Sequence, residues 1–179
     1  MPPDTGRTEH AGQDGSRGLD PAGVLVRQIT SALAAAGHSV AAAESLTGGR
    51  LAVALSDAPG SGATFLGGVV AYATDLKTGL LHVDAALVGE VGAVHPEVAA
   101  QMAQGVRALT QATYGLATTG VAGPAPQDGQ PVGTVFVAVA APHATIATQP
   151  EPRSGHRNDI QNDAVLAALQ LLHDLLRPD

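Results

Sequence analysis

The sequence predicts an α/β domain in three layers, α/β/α, with helices packed on both faces of a central sheet. Three observations predict it. Short apolar runs of strand length recur along the chain, stretches of helical periodicity alternate with them, and Gly- or Pro-rich turns separate the two. Strand order does not follow from that alternation, and a mixed sheet is left open.

The elements follow in order. Residues 1–20 are rich in Gly, Pro, Asp, Thr and Arg and nearly free of large apolar side chains. Such a stretch has no burial to offset its ordering entropy, so a disordered tail is expected there and the domain over 21–179. Pro21 suits a first helical turn, and Val24, Leu25, Ile29 and Leu33 continue a helical stripe that Gly37 ends. Ser39 to Ala43 is short and apolar, a buried strand running into Glu44. Leu51, Val53, Ala54 and Leu55 predict a helix over 50–56, broken by Pro59-Gly60-Ser61-Gly62. A strand is expected over 65–72, a short helix over 75–82 and another helical piece over 85–91. His95-Pro96-Glu97 opens a helix with Val98, Met102, Val106 and Leu109 facing inward. A strand over 114–119 enters the Gly120 loop, residues 125–130 read as an exposed hairpin tip, and 133–141 form a β-branched strand. The last helix starts near Asn158, with Val165, Leu166, Leu169 and Leu172 on one stripe.

Composition narrows the function. At 179 residues the chain can bury a sizeable core without staples, and with no cysteine it can form no disulfide, zinc-thiolate site, iron-sulfur cluster or cysteine nucleophile. A cytoplasmic setting fits. Phe65, Tyr72, Tyr114 and Phe136 are the only aromatics, so the core must be built from Ala, Val and Leu in close helix-on-sheet packing. A net charge of −7 with nine scattered Lys and Arg argues against nucleic acid and for a small anionic ligand. No apolar run reaches the roughly eighteen residues a membrane helix needs. The seven histidines show no short metal-ligand spacing, so no metal and no cofactor are expected.

Three segments carry chemistry. Ala43-Glu44-Ser45-Leu46-Thr47-Gly48-Gly49-Arg50 seats a hydroxyl between a strand and a helix start, where unpaired amides favour a developing oxyanion. The same residues also fit a bare N-cap and turn. Val70-Ala71-Tyr72-Ala73-Thr74-Asp75-Leu76-Lys77 supplies a phenol and an amine. Lysine near its reference pKa of about 10.4 cannot accept a proton from serine at neutral pH. Lowering it by roughly three units disfavours the ammonium by about 4 kcal/mol, which burial can do; a solvated Lys77 would be a surface charge. Thr118-Thr119-Gly120-Val121-Ala122-Gly123-Pro124 is a hydroxyl- and glycine-rich turn beyond a strand, where open α/β sheets bind ligands, or else simply a stiff connection.

Together with G-A-V-x-x-x-V-A-x-x-M-A from Gly92, P-V-G-T-V from Pro131 and the late Gly155-His156-Arg157, these segments resemble the C-terminal domain family of the competence/damage-inducible protein CinA. The resemblance runs from about Val24 to about Leu172. Enzymatic members of that family are nicotinamide mononucleotide deamidases. The resemblance implies hydrolysis of nicotinamide mononucleotide to nicotinate mononucleotide and ammonia, with Ser45 as nucleophile and Tyr72 and Lys77 beside it. It implies substrate contacts from Thr47, Gly48, Gly49, Thr119 and Gly120, and a phosphate or carboxylate contact from Arg157, which otherwise reads as a helix-end or interface arginine. His156 stands where the family's G-D-R has an acid, and Arg50 is a further anion candidate. A homo-oligomer of the stand-alone form, lacking the additional amino-terminal domain of many members, is expected. A catalytically inactive nucleotide-binding or regulatory module of the same fold is the alternative. A phosphate-transfer enzyme is disfavoured because no P-loop Lys-Ser pair follows Gly48-Gly49.

Overall fold

Helix α1 (Pro21–Ala36) opens the computed structural model, which describes residues 21–151 and 155–177. The tail expected over residues 1–20 lies outside the described residues. After α1 come β1 (Val40–Glu44), α2 (Arg50–Ser56), α3 (Ser61–Thr64), β2 (Phe65–Val70), α4 (Thr74–Leu81) and α5 (Ala85–Val91). The chain continues through α6 (Pro96–Thr110), β3 (Tyr114–Gly120), β4 (Val135–Ala140), β5 (Thr145–Thr148) and α7 (Arg157–Leu176). Asp84 caps α5 through its carboxylate, and His95 caps α6 by accepting the Glu97 N–H ahead of Pro96.

The strands form one mixed sheet in the order β2-β1-β3-β4-β5. β1 pairs in parallel with both β2 and β3, whereas β4 runs antiparallel to β3 and to β5. Alternation sorts the side chains. Val40, Ala42, Leu116 and Val137 face a core built with α1, α2 and α7, while Ala41, Ala43, Ala117 and Ala138 face one built with α6 and the end of α4. Every residue of β1, β4 and all but the first of β3 is buried, which explains the uninterrupted apolar runs in the sequence.

Two elements escape sequence reading. Helix α3 lies inside the expected break after Pro59, and β5 is a four-residue edge strand whose residues alternate half-buried and exposed. Leu109, expected to face inward, is 54 % exposed because it lies in the last turn of α6, beside the left-handed Gln111 C-cap. Leu166 is only partly buried.

Small residues set the spacing between layers. A Cβ added at Gly105 of α6 would collide with the carbonyl of Leu81 at the end of α4, and one at Gly115 would strike the carbonyl of Ala103. Gly105→Ala gains up to about 1 kcal/mol of helix propensity but forces backbone apart, at a cost of about 1–3 kcal/mol or more. The variant should therefore be less stable than the parent in urea denaturation, and a gain in midpoint would refute this account of the α4–α6 contact.

Candidate active site

Strand β1 ends at Glu44, whose buried carboxylate organises the turn that follows. Its Oε2 accepts the N–H groups of Gly49 and Leu51 at 2.9 and 3.1 Å, and its Oε1 accepts that of Ala52 at 2.8 Å. The first turn of α2 is thus satisfied by a side chain from the strand before it. Gly48 and Gly49 have φ of 60 and 103°, a left-handed pair that bends the chain back so that this contact can form. The Ser45 N–H donates to the Thr118 carbonyl at 3.0 Å, the Thr47 and Thr118 hydroxyls meet at 2.7 Å, and the Gln161 amide donates to the Leu46 carbonyl. The α2 amides expected to stabilise an oxyanion are therefore committed to Glu44. Among the described residues the N–H groups of Leu46, Ala122 and Gly123 have no acceptor, and these three residues line the cleft.

That cleft is small, about 70 Å³, and lies above the carboxyl ends of β1 and β3. Ser45 and Leu46 form its floor, Gly120 to Gly123 with Ala125 and Gln127 one wall, and Tyr72 and Arg157 its rim. A Cβ on Gly120 would lie 2.5 Å from the Thr134 carbonyl and 3.1 Å from Leu46, so only glycine lets β3, β4 and the serine turn approach this closely. Arg157, the first residue of α7, donates from Nη1 to the Gly123 carbonyl at 2.6 Å and from Nη2 to the Tyr72 hydroxyl at 3.1 Å.

Lys77 is the chain's only lysine, and only 1 % of it is exposed. Its Nζ donates to the carbonyls of Ala71 at 2.8 Å and Tyr72 at 3.3 Å. The Ala71 N–H in turn donates to the Glu44 carbonyl at 2.8 Å, so residue 71 links the amine to the end of β1 from which the serine turn departs. Burial lowers its pKa from 10.5 to about 8, against an opposing pull from the charge of Asp128. Two carbonyls take two N–H bonds. The third position on nitrogen is an N–H when the group is charged and a lone pair when it is neutral.

The expected residues divide into two groups. Ser45, Tyr72, Gly120 and Arg157 converge on the cleft, with Lys77 buried behind Tyr72. No Ser45–Lys77 hydrogen bond is present among the described residues, and the Tyr72 hydroxyl turns to Arg157 instead of the amine. Thr47, Gly48, Gly49 and Thr119 lie off the cleft. The Thr47 hydroxyl is buried against Thr118, the glycines shape the turn, and Thr119 points to the opposite sheet face, where it donates to the Ala93 carbonyl at 2.8 Å. Arg50 reaches across to Asn158 at 3.1 Å. Glu44, Gln161 and Asp128 carried no expected role. The signal available for Glu44 was its place at the end of a wholly apolar strand, and for Lys77 its solitude among eight arginines. Among the described residues no three His, Asp or Glu side chains converge, and no helix is long and apolar enough to cross a membrane.

The carboxyl ends of the parallel strands β1 and β3 thus bring a serine turn and a glycine loop to one cleft of an α/β domain, with a buried amine on the Ala71 and Tyr72 carbonyls nearby. Residues 23–176 match the family described as CinA C-terminal domain, and the chain belongs to that family. It is 49 % identical over 138 residues to a CinA-like protein of Frankia casuarinae, covering 77 % of this chain and 32 % of that protein. A CinA-like protein of Anaeromyxobacter is 45 % identical over 150 residues, covering 83 % and 36 %. The chain thus spans about a third of the length of these relatives. The crystal structure of competence/damage inducible protein CihA from Agrobacterium tumefaciens superposes with a TM-score of 0.83 at 32 % identity, covering 88 % of this chain and 96 % of that one. A CinA superfamily protein from Enterobacter cloacae gives 0.84 at 28 % identity, covering 96 % and 100 %.

Replacing Glu44 by Gln puts an N–H donor where the carboxylate accepts. Hydrogen bonds to a charged group are worth about 1.5–3 kcal/mol, so Glu44→Gln should lose stability of that order in urea denaturation. A loss below about 0.5 kcal/mol would show that the turn holds without this carboxylate.

Proposed function

We propose that this chain hydrolyses the carboxamide of nicotinamide mononucleotide, releasing nicotinate mononucleotide and ammonia. One observation carries the reading: the only lysine is buried beside the serine turn with its pKa brought down to about 8. A buried amine so adjusted suits a general base near neutral pH. Family membership supports the substrate.

In this mechanism the Ser45 Oγ attacks the carboxamide carbon while its proton passes to the Lys77 lone pair. The oxyanion rests on the cleft amides of Leu46, Ala122 and Gly123, which have no other acceptor among the described residues. Collapse expels ammonia as Lys77 returns the proton to the leaving nitrogen. Water then attacks the acyl-serine ester as Lys77 takes its proton, the C–Oγ bond breaks to release nicotinate mononucleotide, and Lys77 returns the proton to the Ser45 Oγ. Tyr72 and Arg157 act at the rim as one hydrogen-bonded pair, and Arg157 keeps further donors for the phosphate. Thr47, Gly48, Gly49 and Thr119 support the site by holding its turn and loop. The reading assigns residues 21–179 to one catalytic domain, working without a cofactor in the cytoplasm as a homo-oligomer.

Purified protein should release ammonia from nicotinamide mononucleotide, and Ser45→Ala should abolish that release with the fold intact. A protein that binds the nucleotide without releasing ammonia would be the inactive module instead. Lys77→Arg should be as damaging as Lys77→Ala, since a guanidinium keeps the charge and cannot deprotonate. The lowered pKa means that the neutral base accumulates as pH rises, so kcat/KM should climb through about pH 8 and level above it. A flat profile, or a vigorous Arg variant, would remove Lys77 from the proton path.

Arg157→Ala should separate two substrates. Lost charge-assisted bonds to phosphate worth about 1.5–3 kcal/mol should reduce kcat/KM for the mononucleotide by roughly ten- to a hundred-fold, with little change for the riboside. Equal proportional losses on both would place Arg157 at the carboxamide end or in a purely structural role.

A further inference from the structure

Helix α7 meets the cleft with its first two turns, and three side chains there each join a different segment. Arg157 donates to the Gly123 carbonyl of the loop and to the Tyr72 hydroxyl at the rim. Asn158 accepts from the guanidinium of Arg50, the first residue of α2. Gln161, four residues on from Arg157 and so on the same helix face, donates its amide to the Leu46 carbonyl of the serine turn. It is the one polar side chain among the buried residues of α7, 6 % exposed in a row that is otherwise Ile, Ala, Val and Leu. A buried amide costs stability unless it is bonded, so packing gives no reason for a glutamine here. Its bond to Leu46 does.

That bond bears on where the Leu46 N–H points. Leu46 follows the serine, with one peptide on each side of it. The Ser45 carbonyl of the first peptide accepts the Gly48 N–H at 3.2 Å, and this peptide is trans, so its N–H lies on the side opposite its carbonyl. The Leu46 N–H is thereby turned away from the hydrogen bonds of the serine turn, and it has no acceptor among the described residues. Gln161 holds the second peptide by the Leu46 carbonyl. The Leu46 side chain is itself buried, so the residue is held at three points beside the cleft it lines. A donor fixed before charge develops stabilises that charge better than one that must first be oriented.

We propose that Gln161 is a positioning residue: by holding the Leu46 carbonyl it aims the Leu46 N–H at the oxyanion that forms when Ser45 attacks the carboxamide. It touches neither substrate nor nucleophile and acts through the backbone of Leu46. This rests on the reading of Ser45 as the nucleophile. It adds that α7, and not the serine turn alone, supports the oxyanion donor.

The test compares the parent with Gln161→Met, which keeps the length without a donor, and Gln161→Asn, which keeps the amide one methylene short of the carbonyl. Circular dichroism checks that each is folded, and the asparagine, which preserves the polarity of the position, carries the test if the methionine does not fold. The probes are two analogues of the mononucleotide, one with an aldehyde in place of the carboxamide and one with a hydroxymethyl group. The Ser45 Oγ adds to the aldehyde carbon as its proton passes to Lys77, leaving an oxyanion on the tetrahedral carbon; the alcohol has no carbonyl to attack. In both variants the aldehyde Kd should rise and kcat for nicotinamide mononucleotide should fall by about ten-fold, less than the roughly 10²- to 10³-fold lost with a donor removed outright. KM and the Kd of the alcohol should keep the parent's values. Equal weakening of aldehyde and alcohol overturns the proposal and makes Gln161 a packing residue. Serine-dependent aldehyde binding that does not respond to either variant overturns it too, leaving the serine mechanism in place. An aldehyde that binds Ser45→Ala as tightly as the parent overturns the serine reading, and the proposal falls with it.

Discussion

The closing of the Glu44 carboxylate on the first turn of α2 is the contact on which the site depends. A strand that ends in the core must turn without stranding its amides, and a helix starting a few residues later brings more orphan donors to the same place. One side chain satisfies three of them. Ser45 lies between the carboxylate and the amides it binds, so its position is fixed by the clamp and by its own N–H on the Thr118 carbonyl. The left-handed glycines follow from the clamp, since only a tight reversal returns α2 to the carboxylate that precedes it.

Two buried ionisable groups flank that turn, and they differ in how well they are satisfied. Glu44 has acceptor sites filled by N–H groups on both oxygens. Lys77 has two carbonyls, no carboxylate in contact among the described residues, and a pKa drawn down to about 8. At 1.36 kcal/mol for each unit, that shift corresponds to about 3 kcal/mol of disfavour for its charged form. Burying a long cationic side chain at this cost makes no sense for packing in a core built of alanine, valine and leucine. It does make an amine that exchanges a proton near neutral pH, and under-satisfied buried groups gather where chemistry is done.

The fold was legible in the sequence because β1, β3 and β4 are buried on both faces and their apolar runs have no interruption to misread. Strand β5 was not legible: four residues with alternating exposure at a sheet edge carry too little apolar signal. Pairing sense was hidden as well, because register is decided by contacts between strands distant in sequence. At the site, sequence gave membership of the neighbourhood more readily than orientation. Adjacent threonines in a strand must face opposite sides of the sheet, so Thr118 joins the serine turn while Thr119 joins Ala93, and neither enters the cleft. Tyr72 reaches Lys77 through its carbonyl instead of its phenol, a distinction that residue identity cannot convey.

The change of strand sense at β4 accounts for why these parts meet at one edge. Strands β1, β2 and β3 are parallel, so the serine turn, the Ala71–Tyr72 segment and the Gly120 loop all leave the sheet at its carboxyl end. Because β4 is antiparallel to β3, with Val135 opposite Gly120, the connection between them must also stay at that end and overhang the turn. Strand β5 is antiparallel to β4 and hence runs with β3, ending at Thr148 opposite Val137, so the chain that leads to α7 departs from the same edge. Arg157 can then reach the loop and Tyr72 from the first residue of its helix. A fully parallel sheet would need a crossover after β3, carrying the chain away from the cleft at the point where this fold instead folds it over the serine.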